Sequence, residues 1–120
     1  MCYYVDKEKF WVVTDFLSMF YSKVYYWTKK IPKGKVATYG LIAILCKSPN
    51  ASRVVGNALH HNPNPPEIPC HRVVNRDGYL AKKFGDGGKD VQKERLENEG
   101  VFVDENFKVD LSKYLWNPFL

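Results

Sequence analysis

Thr38-Tyr39-Gly40-Leu41-Ile42-Ala43-Ile44-Leu45-Cys46-Lys47-Ser48-Pro49-Asn50-Ala51-Ser52-Arg53-Val54-Val55-Gly56-Asn57-Ala58-Leu59-His60-His61 reads as two short helices around a tight turn. Thr38 is a good N-cap, and Leu41, Ile42, Ile44 and Leu45 line the apolar side of the first helix. Residues 47–50 are turn formers. In the second helix, over residues 51–61, Val54, Val55, Ala58 and Leu59 share one face while Arg53 and Asn57 point elsewhere. This is the pattern of a helix-turn-helix whose second helix meets DNA; an αα-hairpin in any helical domain has the same pattern.

Upstream, residues 10–30 are rich in aromatic and β-branched side chains. Phe16, Phe20, Val24 and Trp27 recur at helical spacing, so a helix ends near Lys30, with Ser18 or Ser22 as its cap. Residues 31–34 break it. Downstream, Asn62-Pro63-Asn64-Pro65-Pro66 is a stiff loop that cannot be helix. Residues 72–80 read as a hairpin turning at Asp77-Gly78, a wing beside the helix pair. A Lys/Gly-rich loop spans 82–88, and a last helix spans 91–98 with Gly100 as its stop. Residues 101–103 and 107–109 look like short strands, and Tyr114, Leu115 and Trp116 pack the tail onto the core. The expected fold class is mainly α with a small β wing, a winged helix-turn-helix DNA-binding domain. Residues 1–20 are expected to be an extension and 21–120 the domain.

At 120 residues with 45% hydrophobic content, the chain suits one domain with one core. The net charge of +5 is uneven. Residues 1–85 hold 13 basic and 5 acidic side chains (+8), and residues 86–120 hold 5 and 8 (−3). A basic body with an acidic end suits a polyanion partner, or is simply a basic soluble protein. No stretch is apolar enough to span a bilayer, and Asp6, Lys7, Glu8 and Lys9 are unlike a signal peptide, so no membrane role and an intracellular location are expected, nuclear in a eukaryote. Cys2, Cys46 and Cys70 lack C-x-x-C pairing, which argues against a disulfide framework and a zinc site. Cys46 falls on an apolar helix face and reads as core; Cys2 is terminal. Trp27 and Trp116 read as core. His60 and His61 end the second helix, at a phosphate or in solvent. No metal or organic cofactor is implied.

Chemistry concentrates at Ile68-Pro69-Cys70-His71-Arg72-Val73. A cysteine is nucleophilic as the thiolate. His71 and Arg72 bring a base and positive charge, and an acid elsewhere can orient the histidine. In an extended segment Cys70 and His71 point apart and couple through water or a tight turn.

Pro69-Cys70-His71-Arg72-Val73-Val74 resembles the active-site signature of the O6-alkylguanine-DNA alkyltransferases. Residues 31–40, Ser52-Arg53-Val54-Val55-Gly56-Asn57-Ala58, Asn62-Pro63 and Glu99-Gly100 resemble further family stretches in the same order, covering about residues 20–103. The resemblance implies that Cys70 accepts the alkyl group from guanine O6 once and irreversibly. His71 is then its base through water, Glu99 orients His71, and Asn62 holds the turn between recognition helix and active-site strand. It implies that Arg53 fills the gap left by the flipped nucleotide and that Tyr39 crowds the target phosphate. Lys35, Ser52, Asn57, Arg72 and the helix amides contact DNA, and Pro69, Val73 and Phe84 border the base. The implied partner is double-stranded DNA containing O6-alkylguanine, bound by a monomer without cofactor.

Three features depart from the usual alkyltransferases. Only about 20 residues precede the first matched helix, where those enzymes carry another domain. Lys83-Phe84-Gly85-Asp86-Gly87-Gly88 replaces a Tyr-x-Gly-Gly loop, and Phe84 stacks on a base without hydrogen-bonding it, which implies slow transfer or room for bulkier lesions. The size and the endings at 95–100 and 114–116 look more like the alkyltransferase-like proteins, which bind alkylated DNA, flag it for excision repair and typically carry tryptophan at the position of Cys70. Two functions follow: a single-turnover alkyltransferase, favoured by Cys70, His71, Asn62 and Glu99, and a non-catalytic lesion sensor that recruits excision-repair proteins. A winged-helix transcription factor is a distant third, since it needs neither the Cys-His pair nor Glu99.

Overall fold

The computed structural model describes residues 7–82, 84 and 87–120, with side chains from Phe16 onward. Cys2 and most of the 83–86 loop therefore lie outside the described residues. The element order is α1 (Lys7–Lys30), β1 (Ala37–Thr38), α2 (Tyr39–Leu45), α3 (Ser52–His60), β2 (Val73–Val74), α4 (Lys89–Asn98) and α5 (Leu111–Tyr114). No helix among the described residues is long and apolar enough to cross a membrane.

α1 starts well before Ser18 and Ser22, which lie inside it rather than capping it, and it runs unbroken through the boundary expected at residue 20. Phe20 and Val24 enter the core and Trp27 packs against it, whereas Phe16, on the expected apolar face, is exposed. The buried Thr28 hydroxyl is satisfied by the Val24 carbonyl at 2.7 Å. Lys29 and Lys30 close the helix, where cations oppose the negative end of its dipole.

Thr38 caps α2 as its residue type dictates, its hydroxyl accepting from the Leu41 amide at 3.0 Å. The helix ends in a Schellman pattern, Ser48 N–H to Ala43 O and Lys47 N–H to Ile44 O, both at 2.9 Å. Lys47 takes the left-handed conformation there (φ 63°) that glycine usually supplies. α3 follows at once. Val55, Ala58 and Leu59 are buried against α1 and α2, and the Tyr25 hydroxyl donates to the Ala58 carbonyl at 2.8 Å. The helix-turn-helix is thus present, with Ser52, Arg53 and Asn57 exposed.

β1 and β2 pair in parallel, Ala37 with Val73 and Thr38 with Val74. Because successive strand residues face opposite ways, this short ladder feeds two cores. Ala37 and Val73 join the α1–α3 cluster. Val36 and Val74 join a second cluster with Leu80, Leu96, Val101, Val103 and Val109.

The expected hairpin over 72–80 needs correction. The turn forms, with Gly78 N–H to Asn75 O at 2.9 Å and Asn75 N–H to Tyr79 O at 3.0 Å. Beyond it, however, the chain pairs not with 73–74 but with the segment near 108: Tyr79 bridges Lys108 antiparallel, and Leu80 N–H meets Phe107 O at 2.9 Å. The reason is that the edge of β2 away from β1 is taken: Val73 N–H bonds the Cys70 carbonyl and the Val73 carbonyl accepts from Gln92 Nε2 at 3.0 Å. Gly78 has φ 94°, and a Cβ there would collide with the Val109 carbonyl oxygen, so only glycine fits. The strands expected at 101–103 and 107–109 reduce to one bridge, Val103 to Val109. The tail returns as expected: Val36 N–H donates to Tyr114 O and Trp116 N–H to Val36 O, at 2.9 and 2.8 Å.

Candidate active site

Cys70, His71 and Arg72 form one 3₁₀ turn between the Pro-rich loop and β2, not the extended segment read from the sequence. The turn separates their side chains. Cys70 lines a cavity of about 280 Å³ and His71 is buried beneath it, only 3% exposed. Asn62 sets the approach to this turn. Its Nδ2 donates to the Ile68 carbonyl at 2.7 Å and its Oδ1 accepts from the Asn64 amide at 2.9 Å, tying the end of α3 to the segment entering Cys70.

Glu99 organises the charged side of the turn. It is presented by the end of α4, which closes with Gly100 N–H to Glu97 O and Val101 N–H to Leu96 O, both at 3.0 Å, and Gly100 at φ 88°. His71 Nε2 lies 3.0 Å from Glu99 Oε2. Arg72 forks onto the same carboxylate at 2.9 and 2.7 Å and donates its remaining nitrogen to the Ile31 carbonyl at 2.8 Å. Burial pushes the Glu99 carboxyl up, but the hydrogen bonds from Arg72 and His71 outweigh it and hold the group below its ordinary value. Burial is likewise the largest influence on His71 and lowers it, against the opposing pull of Glu99. A neutral imidazole beside an ionised carboxylate carries its proton on the nitrogen facing that carboxylate. This assigns the N–H to Nε2 and leaves the lone pair on Nδ1, a buried nitrogen with no hydrogen-bond partner among the described residues.

Arg72 therefore corrects the DNA-contact expectation. Its guanidinium points inward, with three of its five N–H groups bonded to Glu99 and Ile31. Two of the expected base-bordering residues also move. Val73 is fully buried in the first core and Pro69 heads the 3₁₀ turn; neither lines the cavity. Phe84 does line it, braced by the Arg95 guanidinium 5.6 Å from its ring centre. Tyr39, at the start of α2, stands beside Cys70, and burial followed by the charge of Cys70 raises its hydroxyl above the ordinary tyrosine value.

The cavity also contains residues that the sequence reading did not place there: Gly56, Leu59 and His60 of α3, Pro65, Ala81 and Gln92. Gln92 matters most. Fully buried, it donates Nε2 to the carbonyls of His71 and Val73 at 3.2 and 3.0 Å and accepts the Ala81 amide on Oε1 at 2.9 Å. One side chain of α4 thus ties the nucleophile turn to the segment leading to Phe84. Its signal was its place one turn before the core residue Leu96, on the same face. Arg53, Ser52, Asn57 and Lys35 stand exposed, outside the cavity. α3 begins without a side-chain cap, so its first amides are open to an anion.

The family that matches this chain is described as the 6-O-methylguanine DNA methyltransferase, DNA binding domain, over residues 19–101. The chain belongs to that family. It is 41% identical to alkyltransferase-like protein 1 of Schizosaccharomyces pombe over 103 residues, covering 82% of this chain and 95% of that protein. It is 45% identical to a DNA base-flipping protein of Vibrio parahaemolyticus, covering 74% of this chain and 87% of the other. Rattus norvegicus methylated-DNA–protein-cysteine methyltransferase is 40% identical over 73 residues, which are 34% of its length. Among solved structures, S. pombe Atl1 in complex with damaged DNA containing O6-carboxymethylguanine superimposes with a TM-score of 0.78, at 40% identity over 84% of this chain and 97% of that one.

Proposed function

We propose that this chain binds O6-alkylguanine in duplex DNA, rotates the base into the Cys70 cavity, and takes the alkyl group onto Cys70. The observation that carries this reading is a cysteine facing a base-sized cavity above a buried, neutral His71 whose proton is pinned on Nε2 by Glu99. Chemistry on a base requires that the base leave the stack. The cavity's volume lies just below the usual range for small-molecule pockets, about 300–1,000 Å³, which suits a single base. Tyr39, Leu59 and Phe84 supply apolar surface to it.

In the transfer, the Cys70 proton passes through a water to His71 Nδ1, and the sulfur attacks the alkyl carbon. The S–C bond forms as the C–O6 bond breaks. The electron pair left on guanine takes up the proton, which restores guanine and leaves a thioether. The thioether has no route back, so each chain acts once. Arg53 fills the hole left in the stack, where a planar cation stacks well. Tyr39 crowds the phosphate of the flipped nucleotide, and Lys35, Ser52, Asn57 and the open amides of α3 hold neighbouring phosphates. The working domain includes Phe20 and the rest of α1 that packs in the core, and it acts as a monomer on intracellular DNA.

A second reading, a lesion sensor that recruits excision-repair proteins, is favoured by likeness: alkyltransferase-like protein 1 and a DNA base-flipping protein match this chain at 41% and 45% identity. Phe84 also lacks a hydroxyl to assist the leaving base. An intact mass spectrum after incubation with a duplex carrying one O6-methylguanine separates the two. One added methyl, mapped to Cys70, is expected; unmodified protein that still prefers the lesion duplex selects the sensor.

A further inference from the structure

A second groove, of about 560 Å³, lies beside the Cys70 cavity, and Tyr39 and Ala81 form the wall common to both. Its far side is made by Asn75, Tyr79, Lys82, Lys89, Asn106 and Phe107. We infer that this groove holds the sugar-phosphate backbone of the strand whose base is extruded, extending the DNA interface from α3 across the wing. The inference rests on the base-flipping reading above and names the second surface which that reading requires.

Charge is the first argument. Among the described residues no carboxylate lines this groove, whereas a further hollow of the wing mixes both signs, with Asp77, Asp104 and Asp110 beside Arg76 and Lys108. Lys89 and Lys93 sit over the Phe107 ring at 4.3 and 5.4 Å from its centre. Aromatic rings hold ammonium groups in place without neutralising them. Among the described residues, none of these lysines, nor Lys82, has an ion-pair partner. The edge thus gathers cations that are positioned but unspent.

Backbone and amide chemistry point the same way. Phe107 has φ 60°, an uncommon conformation for a bulky residue. It is clamped there by Phe107 N–H to Asp104 O and Leu80 N–H to Phe107 O, at 3.0 and 2.9 Å. Asn75 spends its side-chain oxygen on the amides of Asp77 and Tyr79, both at 2.9 Å, which leaves its NH₂ as a donor at the groove. Lysines and amide donors suit phosphates and sugars. Position completes the case. Rotating a nucleotide into the Cys70 cavity carries its flanking phosphates past Tyr39, and the groove opens on the other side of Tyr39.

The test uses the full chain and fluorescence anisotropy with two duplexes, one plain and one carrying a single O6-methylguanine, over a series of KCl concentrations. K82Q/K89Q is expected to reduce the slope of log K against log salt by about 2, roughly 0.9 for each lost phosphate contact, on both duplexes. Preference for the lesion is expected to remain as in the parent, and K82R/K89R to restore the slope. Circular dichroism checks folding, and K82E/K89E gives a larger change in the same direction. A folded K82Q/K89Q protein with the parent's slope and affinity would overturn the groove assignment while leaving base flipping intact. A parent chain that binds neither duplex defeats both.

Discussion

The helical half of the molecule and the wing half are held together differently. α1, α2 and α3 bury Val24, Ile42, Val55 and Ala58 against one another as three packed helices, with Val73 and Trp116 added from farther along the chain. The wing half has only α4 and the short α5 as helices. Its core of Val36, Val74, Leu80, Leu96, Val101, Val103 and Val109 is joined by single bridges, two of them between distant segments, Val36 to Leu115 and Tyr79 to Lys108, and one local, Val103 to Val109. The candidate active site lies on the seam. Cys70 packs with the helical core, while Glu99 and Gln92 reach it from α4, which packs in the wing core through Leu96. Chemistry and stability are therefore coupled at the seam and separable on the outer face of α3.

Perturbations across the seam test that division. The largest effect is expected from Cys70→Ala, which removes transfer completely, read by intact mass, while lesion affinity is retained; loss of binding as well would refute the cavity assignment. Next is Glu99→Ala, which strands the Arg72 fork and His71. A cost of about 3 kcal/mol is expected in a denaturant titration, since removing one partner of a largely buried pair leaves an uncompensated charge. Gln92→Leu leaves two carbonyls and one amide unpaired in the interior and should cost about 2–3 kcal/mol. It should also slow any transfer, because it loosens the Cys70 turn from the segment of Phe84. Arg53→Ala touches only the outer face. Affinity for the lesion duplex should fall by about 1–3 kcal/mol, the scale of one stacking contact, with an unchanged melting temperature.

The gentlest perturbation is pH. His71 is lowered by burial, so the folded state prefers it neutral. Its contribution is present above its unfolded value of 6.5 and is lost as pH falls below that. Glu99 is also lowered on balance, so its contribution is present above 4.5 and is lost at still lower pH. Both signs agree: the seam weakens on acidification, and transfer should decline together with the neutral fraction of His71. In Glu99→Gln the more acidic of these two phases should be missing from the pH dependence of stability.

The legible parts of this protein were those governed by local rules. Thr38 as a cap, the 47–50 turn, the split between Val55 and Arg53 on α3, and Gly100 as a stop all follow from interactions within a few residues, and the structure places them so. The cysteine signature was equally readable because its residues are contiguous. Reading failed where a partner distant in sequence decides. The start of α1 lay upstream of both serines. β2 forms no hairpin ladder because Gln92, nineteen residues on, and the Cys70 carbonyl take the hydrogen bonds of its free edge. Arg72, adjacent to the nucleophile and basic, looked like a DNA contact until Glu99 proved to be its partner.

The sequence by itself determined the helix-turn-helix, the family, and the identity of the candidate nucleophile, because helical periodicity, capping and a contiguous motif are properties of short stretches. Only the tertiary structure decided which nitrogen of His71 is left to accept a proton, where the Arg72 guanidinium goes, and that Gln92 joins the site to the wing. Each depends on side chains some twenty to forty residues apart meeting in a buried space, where an unpaired polar group is too costly to leave.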